Sequence, residues 1–274
     1  MEIIAHRGAC FSAPENSLRA FALAMEGGAD RLECDVHITR DGIPVVCHDS
    51  TTKRTTNLDL EIATSTFEEV RAAQMPDGSR IPSFDELCAL VSGQSRLDVE
   101  MKVSGALLSR LVVASLGHHA VSADAIITSF DPDALLQCRD AGFQGRTGLL
   151  IGSRSLSPLQ RAYEAWPLRA VEAAKADVLA IHFALAHGWL RSALKKKGIG
   201  LLLWASIEDE EKRPDERAAR YVRMRMAEPD GVIVGRVREA RALIEASADA
   251  ARWEEGAAAA VIPEESVDNV QTEE

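Results

Sequence analysis

The stretch Val36-His37-Ile38-Thr39-Arg40-Asp41-Gly42-Ile43-Pro44-Val45-Val46-Cys47 decides the fold. Two apolar, β-branched runs flank Arg40-Asp41-Gly42-Ile43, with Asp-Gly at the turn. A parallel crossover needs roughly a dozen residues or more, so a link this short joins antiparallel strands. The stretch therefore reads as a hairpin growing from the end of a longer strand. Working outward, strand-like runs fall at residues 2–6, 32–36, 45–47, 97–102, 125–130, 147–151, 178–183, 201–205 and 231–234. Helix candidates lie between them at 15–26, 83–91, 106–116, 132–141, 158–174, 186–197 and 213–226. Asp131-Pro132 and Ser157-Pro158 mark helix starts, where proline fits the first turn. Alternating strands and helices imply a parallel α/β sheet. With the hairpin's return strand set aside, eight core strands remain. The expected fold is an α/β (β/α)8 TIM-type barrel with a β-hairpin extension after strand 2, in preference to an open doubly wound sheet.

The barrel is expected to occupy residues 1–246. Residues 247–274 turn Ala- and Glu-rich and include Pro263, which predicts a partly disordered acidic tail, with a helix running on through Trp253. The polar segment 51–80 is expected to pack over one barrel mouth. The chain has 274 residues, 46% of them hydrophobic and 27% charged, which suits a globular protein with a sizeable core. No apolar run reaches the ~18 residues of a membrane span. Strand-like Glu2-Ile3-Ile4-Ala5 begins at once, with no basic segment and apolar stretch ahead of it, so no signal peptide is expected. Five cysteines, Cys10, Cys34, Cys47, Cys88 and Cys138, are scattered without metal-ligand or redox spacing. Cys34 and Cys47 read as small core residues. The expected location is cytoplasmic, with no transmembrane segment; oligomeric state stays open, a homo-oligomer included.

Lys and Arg total 31 against 42 Asp and Glu, a formal net charge of −11. That balance argues against nucleic acid and anionic membrane as partners. It does not argue against an anionic small molecule, because residues 251–274 hold seven acids and one base, Arg252.

Polar residues gather at the C-terminal ends of the expected strands, the end where a (β/α)8 barrel builds its active site. Strand 1 ends in His6-Arg7-Gly8, strand 2 carries Glu33 and Asp35, the hairpin closes on His48-Asp49, and strand 3 carries Asp98, Glu100 and Lys102. Side chains two apart in a strand share a face, so Glu33 pairs with Asp35 and Glu100 with Lys102. Three converging carboxylates repel one another unless a cation neutralises them. Hard oxygen donors without cysteine point to Mg2+ or Ca2+ rather than zinc. A divalent ion beside two histidines, an arginine and a lysine suits a phosphodiester: cations stabilise the phosphoryl oxygens while imidazoles move protons. Asp49 and Asn16 either orient this site or fix turns. His118 and His119 read as solvated; His182 and His187 could reach the mouth but read first as structural. Trp204 offers a broad apolar face suited to a pocket wall.

Ile4-Ala5-His6-Arg7-Gly8-Ala9, Ala13-Pro14-Glu15-Asn16-Ser17 with Ala20-Phe21, and Gly28-Ala29-Asp30-Arg31-Leu32-Glu33-Cys34-Asp35-Val36 together resemble the opening of the glycerophosphodiester phosphodiesterase family. Thr39-Arg40-Asp41-Gly42, Val45-Val46-Cys47-His48-Asp49, Arg54-Thr55-Thr56, Ile81-Pro82-Ser83-Phe84-Asp85-Glu86 and Val99-Glu100-Met101-Lys102 continue the likeness, and Thr128-Ser129-Phe130 follows it more loosely. The likeness is dense over residues 3–102 and thin to about residue 234. It implies a barrel of the phospholipase C-like group. It also implies hydrolysis of a small-molecule glycerophosphodiester to sn-glycerol 3-phosphate and an alcohol. By motif position it makes His6 and His48 the general acid/base pair, Glu33, Asp35 and Glu100 the ligands of a divalent cation, and Arg7 and Lys102 the phosphate holders. The family mechanism has a glycerol hydroxyl attack phosphorus to give a cyclic phosphate that water then opens.

The likeness breaks down late in the chain. Where the family's seventh strand usually ends Trp-Thr-Val-Asn, this chain has Trp204-Ala205-Ser206-Ile207, and its last strand leads into Val234-Gly235 where Thr-Asp is usual. These changes fall on the alcohol or glycerol pocket. They leave open a phosphodiesterase for another diester (a lysophospholipid or a sugar phosphodiester) and a non-hydrolytic barrel that binds phosphate and metal. Five arginines between Arg213 and Arg225 read as a solvated helix face balanced by Glu208, Asp209, Glu210 and Glu211.

Overall fold

A computed structural model of the chain describes residues 1–152 and 158–246. Among these residues the strands are β1 (Glu2–Ala5), β2 (Arg31–Ile38), β3 (Pro44–Val46), β4 (Leu97–Met101), β5 (Ile126–Ser129), β6 (Arg146–Ile151), β7 (Val178–His182), β8 (Gly200–Trp204) and β9 (Gly231–Val234). They hydrogen-bond in the order β1-β9-β8-β7-β6-β5-β4-β2, and β1 pairs back onto β2. That ring of eight parallel strands is the expected closed barrel. β3 stands outside the ring, antiparallel to β2, with Val36 opposite Val46 and Ile38 opposite Pro44. Gly42 takes φ +84 at the hairpin turn, a left-handed conformation that glycine adopts without a Cβ penalty.

The helices are α1 (Leu18–Glu26), α2 (Phe67–Ala72), α3 (Phe84–Val91), α4 (Ala106–His118), α5 (Pro132–Asp140), α6 (Pro158–Ala165), α7 (Pro167–Ala173), α8 (Gly188–Lys196), α9 (Ile207–Glu210) and α10 (Pro214–Met226). Residues 237–246 are helical as well. Local chemistry fixes their starts: Ser17 caps α1, Ser83 and Glu86 form a capping box on α3, and Asp131 caps α5 with Pro132 in the first turn.

Strand alternation separates two cores. Outward residues such as Leu32, Cys34, Val36, Leu179 and Ile181 pack with Phe21, Phe84, Leu108 and Leu194 of the helices. Inward residues Ile4, Ile126, Leu150, Val178, Ala180, Leu202 and Ile233 fill the barrel. Each buried aliphatic side chain contributes about 1.5–3 kcal/mol. The outer core can therefore carry β2 and β4 although their inward faces bear carboxylates.

Several local expectations are corrected. The helix expected over 158–174 is two, α6 and α7, because Pro167 lacks an N–H and pushes the preceding Trp166 out of helical geometry, to φ −133. α1 starts at Leu18 rather than residue 15, so Glu15 lies in the preceding loop. The segment before α8 is a short 3-10 turn, Phe183–Leu185, and α8 begins at Gly188. Segment 51–80 has a small core of its own, with Ile62, Val70 and Met75 clustered with Val45, Cys47 and Ile81. It sits beside the hairpin and sends Arg54 to the barrel mouth. His118 is exposed as expected, whereas His119 reaches Asp85 Oδ1 at 2.9 Å. Cys34 and Cys47 are buried free thiols. The acidic tail and the helix through Trp253 lie outside the described residues. No helix among the described residues is long and apolar enough to cross a membrane.

The Arg-rich helix α10 is not a solvated face throughout. Tyr221 and Met224 bury its apolar stripe and carry Arg220 inward with them, to 5% exposure. There Arg220 Nη2 lies 3.1 Å from Oε1 of the fully buried Glu210, whose Oε2 accepts from the Tyr221 hydroxyl at 2.6 Å. Removing one partner of a buried pair strands the other charge. Arg220→Met should therefore cost about 3–5 kcal/mol of stability in urea unfolding; a loss below about 1 kcal/mol, the range of an exposed pair, would contradict the pairing as a stabilising element.

Candidate active site

β1 ends where His6 donates its backbone N–H to Val234 O at 3.0 Å. The chain then turns through Arg7 at φ +54 and Gly8 at φ +76. A Cβ on Gly8 would sit 2.7 Å from the Ala20 carbonyl carbon, so only glycine lets this turn pack against α1. The turn is pinned to β2 from two sides. Arg7 N–H donates to Glu33 Oε2 at 2.8 Å, and the Asn16 side-chain amide donates to Asp35 Oδ2 at 2.8 Å.

Glu33 and Asp35 stand two apart on β2, and Glu100 of β4 lies directly across from Asp35. A ligand oxygen from each of the three falls within 4.8 Å of the others, and all three residues are buried. Burial raises Glu33 well above the usual carboxylate range, with the charges of Asp35 and Glu100 adding to the shift. Burial likewise raises Glu100 to about 7 in spite of Lys102. Asp35 goes the other way: Lys102 and Arg7 outweigh its burial and lower it. Lys102 Nζ lies 2.7 Å from Glu100 Oε1 and 3.3 Å from Asp35 Oδ1, and Arg7 Nε lies 3.3 Å from Asp35 Oδ2. Asp35 Oδ1, although buried, has no hydrogen-bond partner among the described residues. Three hard oxygen donors, with Asp35 Oδ1 met only by the Lys102 ion pair, suit an oxygen-seeking divalent cation. Asp98, deeper in the barrel, accepts from Thr128 Oγ1 at 2.9 Å and lies outside the cavity lining.

His48 follows β3. Its Nδ1 is 2.6 Å from Asp49 Oδ1, which leaves Nε2 as the nitrogen free to act. Its carbonyl oxygen is held by His37 Nε2 at 3.2 Å. Asp49 is in turn bonded by Arg54 Nε at 2.7 Å; this bond and the one from His48 outweigh burial and lower Asp49 to about 2. Arg54 also grips both oxygens of Glu15 at 2.8 Å, and Glu15 accepts from Arg7 at 3.0 Å. A chain of alternating charge thus runs from His48 to Arg7. His6 Nε2 lies 4.0 Å from Glu33 Oε2, and its buried Nδ1 has no partner among the described residues. Burial lowers both histidines, and Arg7 lowers His6 further. Both imidazoles therefore favour the neutral form that can accept a proton.

A cavity of about 670 Å³ opens at this C-terminal end of the barrel. His6, Arg7, Glu33, His48, Glu100 and Lys102 line its charged side; Phe130, Leu150, Trp204, Ile207 and Ile233 supply its apolar surface, and Ser206, Glu208 and Glu211 flank Ile207 in the lining. Trp204 Nε1 donates to Ile151 O at 3.2 Å, and its ring meets Phe130 edge to face with centroids 6.1 Å apart. Of the eight residues singled out from sequence, seven line the cavity, and Asp35 is fully buried beside them. Asp49 and Asn16 both bond directly to site residues. His182 is buried behind Trp204, and His187 is exposed outside the lining. Glu15, Arg54 and His37 were missed as site residues. Glu15 and Arg54 sit within the motif stretches, but nothing in their spacing says that they meet.

The family model described as the glycerophosphoryl diester phosphodiesterase family matches residues 6–239. A glycerophosphodiester phosphodiesterase from Caldanaerobacter subterraneus subsp. tengcongensis is 33% identical over 172 residues, 58% of this chain and 70% of that protein. The crystal structure of a glycerophosphodiester phosphodiesterase from Thermotoga maritima is similar with a TM-score of 0.66 and 27% identity, covering 87% of this chain and 96% of that one. An Oleispira antarctica phosphodiesterase, in complex with the product sn-glycerol-3-phosphate, shares the fold with a TM-score of 0.73 at 23% identity, covering 89% of this chain and 97% of its own.

The carboxylate cluster gives a prediction with two opposite signs. Glu33→Gln removes one of three mutually repelling acids while keeping an acceptor for Arg7 N–H, so metal-free stability should hold or rise. The thermal stabilisation by Mg2+ or Ca2+ should shrink, with affinity at least about tenfold weaker. Unchanged metal affinity in calorimetry would remove Glu33 from the ligand set.

Proposed function

The chain belongs to the glycerophosphoryl diester phosphodiesterase family, and from that premise we propose that it hydrolyses glycerophosphodiesters to sn-glycerol 3-phosphate and an alcohol, with a divalent cation and His6 and His48 as the acid/base pair. The observation that carries this reading is the convergence of two imidazoles, two protein cations and the carboxylate cluster on one side of a single cavity. Glu33, Asp35 and Glu100 are the residues that would hold Mg2+ or Ca2+. Such an ion supplies positive charge against the negative charge that develops on the phosphoryl oxygens.

The protein's own groups divide the remaining work. Arg7 and Lys102 bind the non-bridging phosphate oxygens, each cation already oriented by Asp35. One histidine takes the proton of the glycerol hydroxyl next to the phosphoester as that oxygen attacks phosphorus. The other histidine enters the step as imidazolium, a form that the negative charge of the bound phosphate favours, and gives its proton to the departing alcohol oxygen. The cyclic phosphate so formed is opened by water with the two roles exchanged, which returns both imidazoles to their starting states. Neutral imidazoles suit the proton-accepting role, and the Asp49 bond orients His48 for it. The phosphate ends against the charged side of the cavity, and the organic substituent ends against Trp204, Phe130 and Ile207. The product held by the Oleispira relative is the product proposed for this chain.

Purified protein with Mg2+ or Ca2+ is incubated with glycerophosphocholine, glycerophosphoethanolamine, a lysophospholipid and a sugar phosphodiester, and both the phosphomonoester formed (sn-glycerol 3-phosphate from the glycerol diesters) and the alcohol released are assayed. Release from the glycerol diesters is expected. Turnover confined to the lysophospholipid or the sugar diester would overturn the substrate, and turnover of none would leave a non-hydrolytic phosphate-binding barrel. His6→Ala and His48→Ala should each lower kcat about 10²–10⁴-fold with melting behaviour retained. Near-normal turnover in either variant would remove that residue from the pair.

A further inference from the structure

We infer that His182, a residue with no part in the proton transfers, is a positioning residue that fixes the wall against which the organic substituent of the diester packs; this inference rests on the hydrolytic reading of the cavity. His182 ends β7 in register with Trp204 at the end of β8. It follows Val178 and Ala180 on the inward face, so it is the uppermost side chain of that row, only 6% exposed. It is absent from the cavity lining, whereas Trp204, Ser206 and Ile207 are part of it.

Two contacts link this buried imidazole to the lining. Its ring packs edge-on against Trp204, with centroids 4.8 Å apart and planes at 80°. Trp204 also meets Phe130 edge to face, and its Nε1 is tied to Ile151 O. The second contact is polar. His182 Nδ1 accepts from Ala184 N–H at 3.4 Å, so Nε2 carries the hydrogen and donates it to Asp209 Oδ2 at 3.0 Å. The same Asp209 oxygen accepts from Ser206 N–H at 3.1 Å and Ser206 Oγ at 2.9 Å, which starts α9. One side chain therefore braces the indole and anchors the turn that presents Ser206 and Ile207.

A leucine would fill the end of the β7 row with no polar atoms to satisfy, so the structural need that selects histidine here is the bond to Asp209. The lining it supports is also where the chain departs from the family pattern, at Ala205-Ser206-Ile207. His182 lies on the apolar side of the cavity, away from the phosphate-binding cations. Its loss should therefore weaken substrate holding while leaving the proton transfers at His6 and His48 intact.

Steady-state kinetics on glycerophosphocholine with the full chain and metal tests this. His182→Ala should raise KM about tenfold with kcat within about threefold of wild type. His182→Gln, whose amide can still donate to Asp209, should return KM to within about threefold; His182→Phe, which keeps a ring but no donor, should not. An unchanged KM in His182→Ala, a fall in kcat alone, or a Gln variant as impaired as the Ala one would each overturn the inference. If the wild type turns over no diester, the hydrolytic reading falls, and the variants are compared instead by calorimetric affinity for glycerophosphocholine. A tenfold loss in His182→Ala then supports the positioning role, and an unchanged affinity contradicts it.

Discussion

Glu33, Asp35 and Glu100 repel one another inside a barrel that cannot hydrate them, and the surrounding site is arranged around that repulsion. An unpaired buried carboxylate costs several kcal/mol. Lys102 and Arg7 answer part of the cost by closing on Asp35, and Asn16 and the Arg7 amide satisfy further oxygens. Two cations against three acids still leave the cluster one positive charge short. Burial, with the neighbouring acids adding to it, raises Glu33 and Glu100, and a bound divalent cation would relieve both. The same demand propagates outward, since Arg7 also needs Glu15, Glu15 needs Arg54, and Arg54 orients the Asp49 that holds His48. Charge balance at the bottom of the cavity thus reaches the imidazole at its mouth.

The barrel tolerates this load because its inner and outer faces are independent. The outward residues of β2 and β4 are apolar and join the main core, so these strands are held from outside while their inward faces carry acids. Around the rest of the ring, from β5 to β9, most inward residues are aliphatic or aromatic, with Thr128 and His182 as polar members. One half of the interior is electrostatic and the other hydrophobic, a division that matches a ligand with a phosphate at one end and an organic group at the other.

Sequence made the architecture legible wherever a hard physical limit applied. Four residues cannot carry a parallel crossover, which identified the β2–β3 hairpin and left eight strands for the ring. Strand alternation placed Glu33 with Asp35 and Glu100 with Lys102, and the β2–β4 register sets the two pairs side by side. What stayed hidden depended on tertiary meetings between distant positions. Glu15 and Arg54 are 39 residues apart and meet only because segment 51–80 folds beside the hairpin. Arg220 reads as one of five solvated arginines until the turn at α9 buries Glu210 against it. His37 acts through a backbone carbonyl, which no spacing announces. The break before α7 was different: Pro167 carried that signal in the letters themselves.

The most direct test is the metal dependence of diester hydrolysis by the purified chain. Release of sn-glycerol 3-phosphate from glycerophosphocholine should cease when EDTA strips divalent ions and return when Mg2+ or Ca2+ is added in excess. Hydrolysis that persists undiminished in EDTA, or that never occurs with either ion, would contradict the account of a carboxylate-held cation driving phosphodiester cleavage.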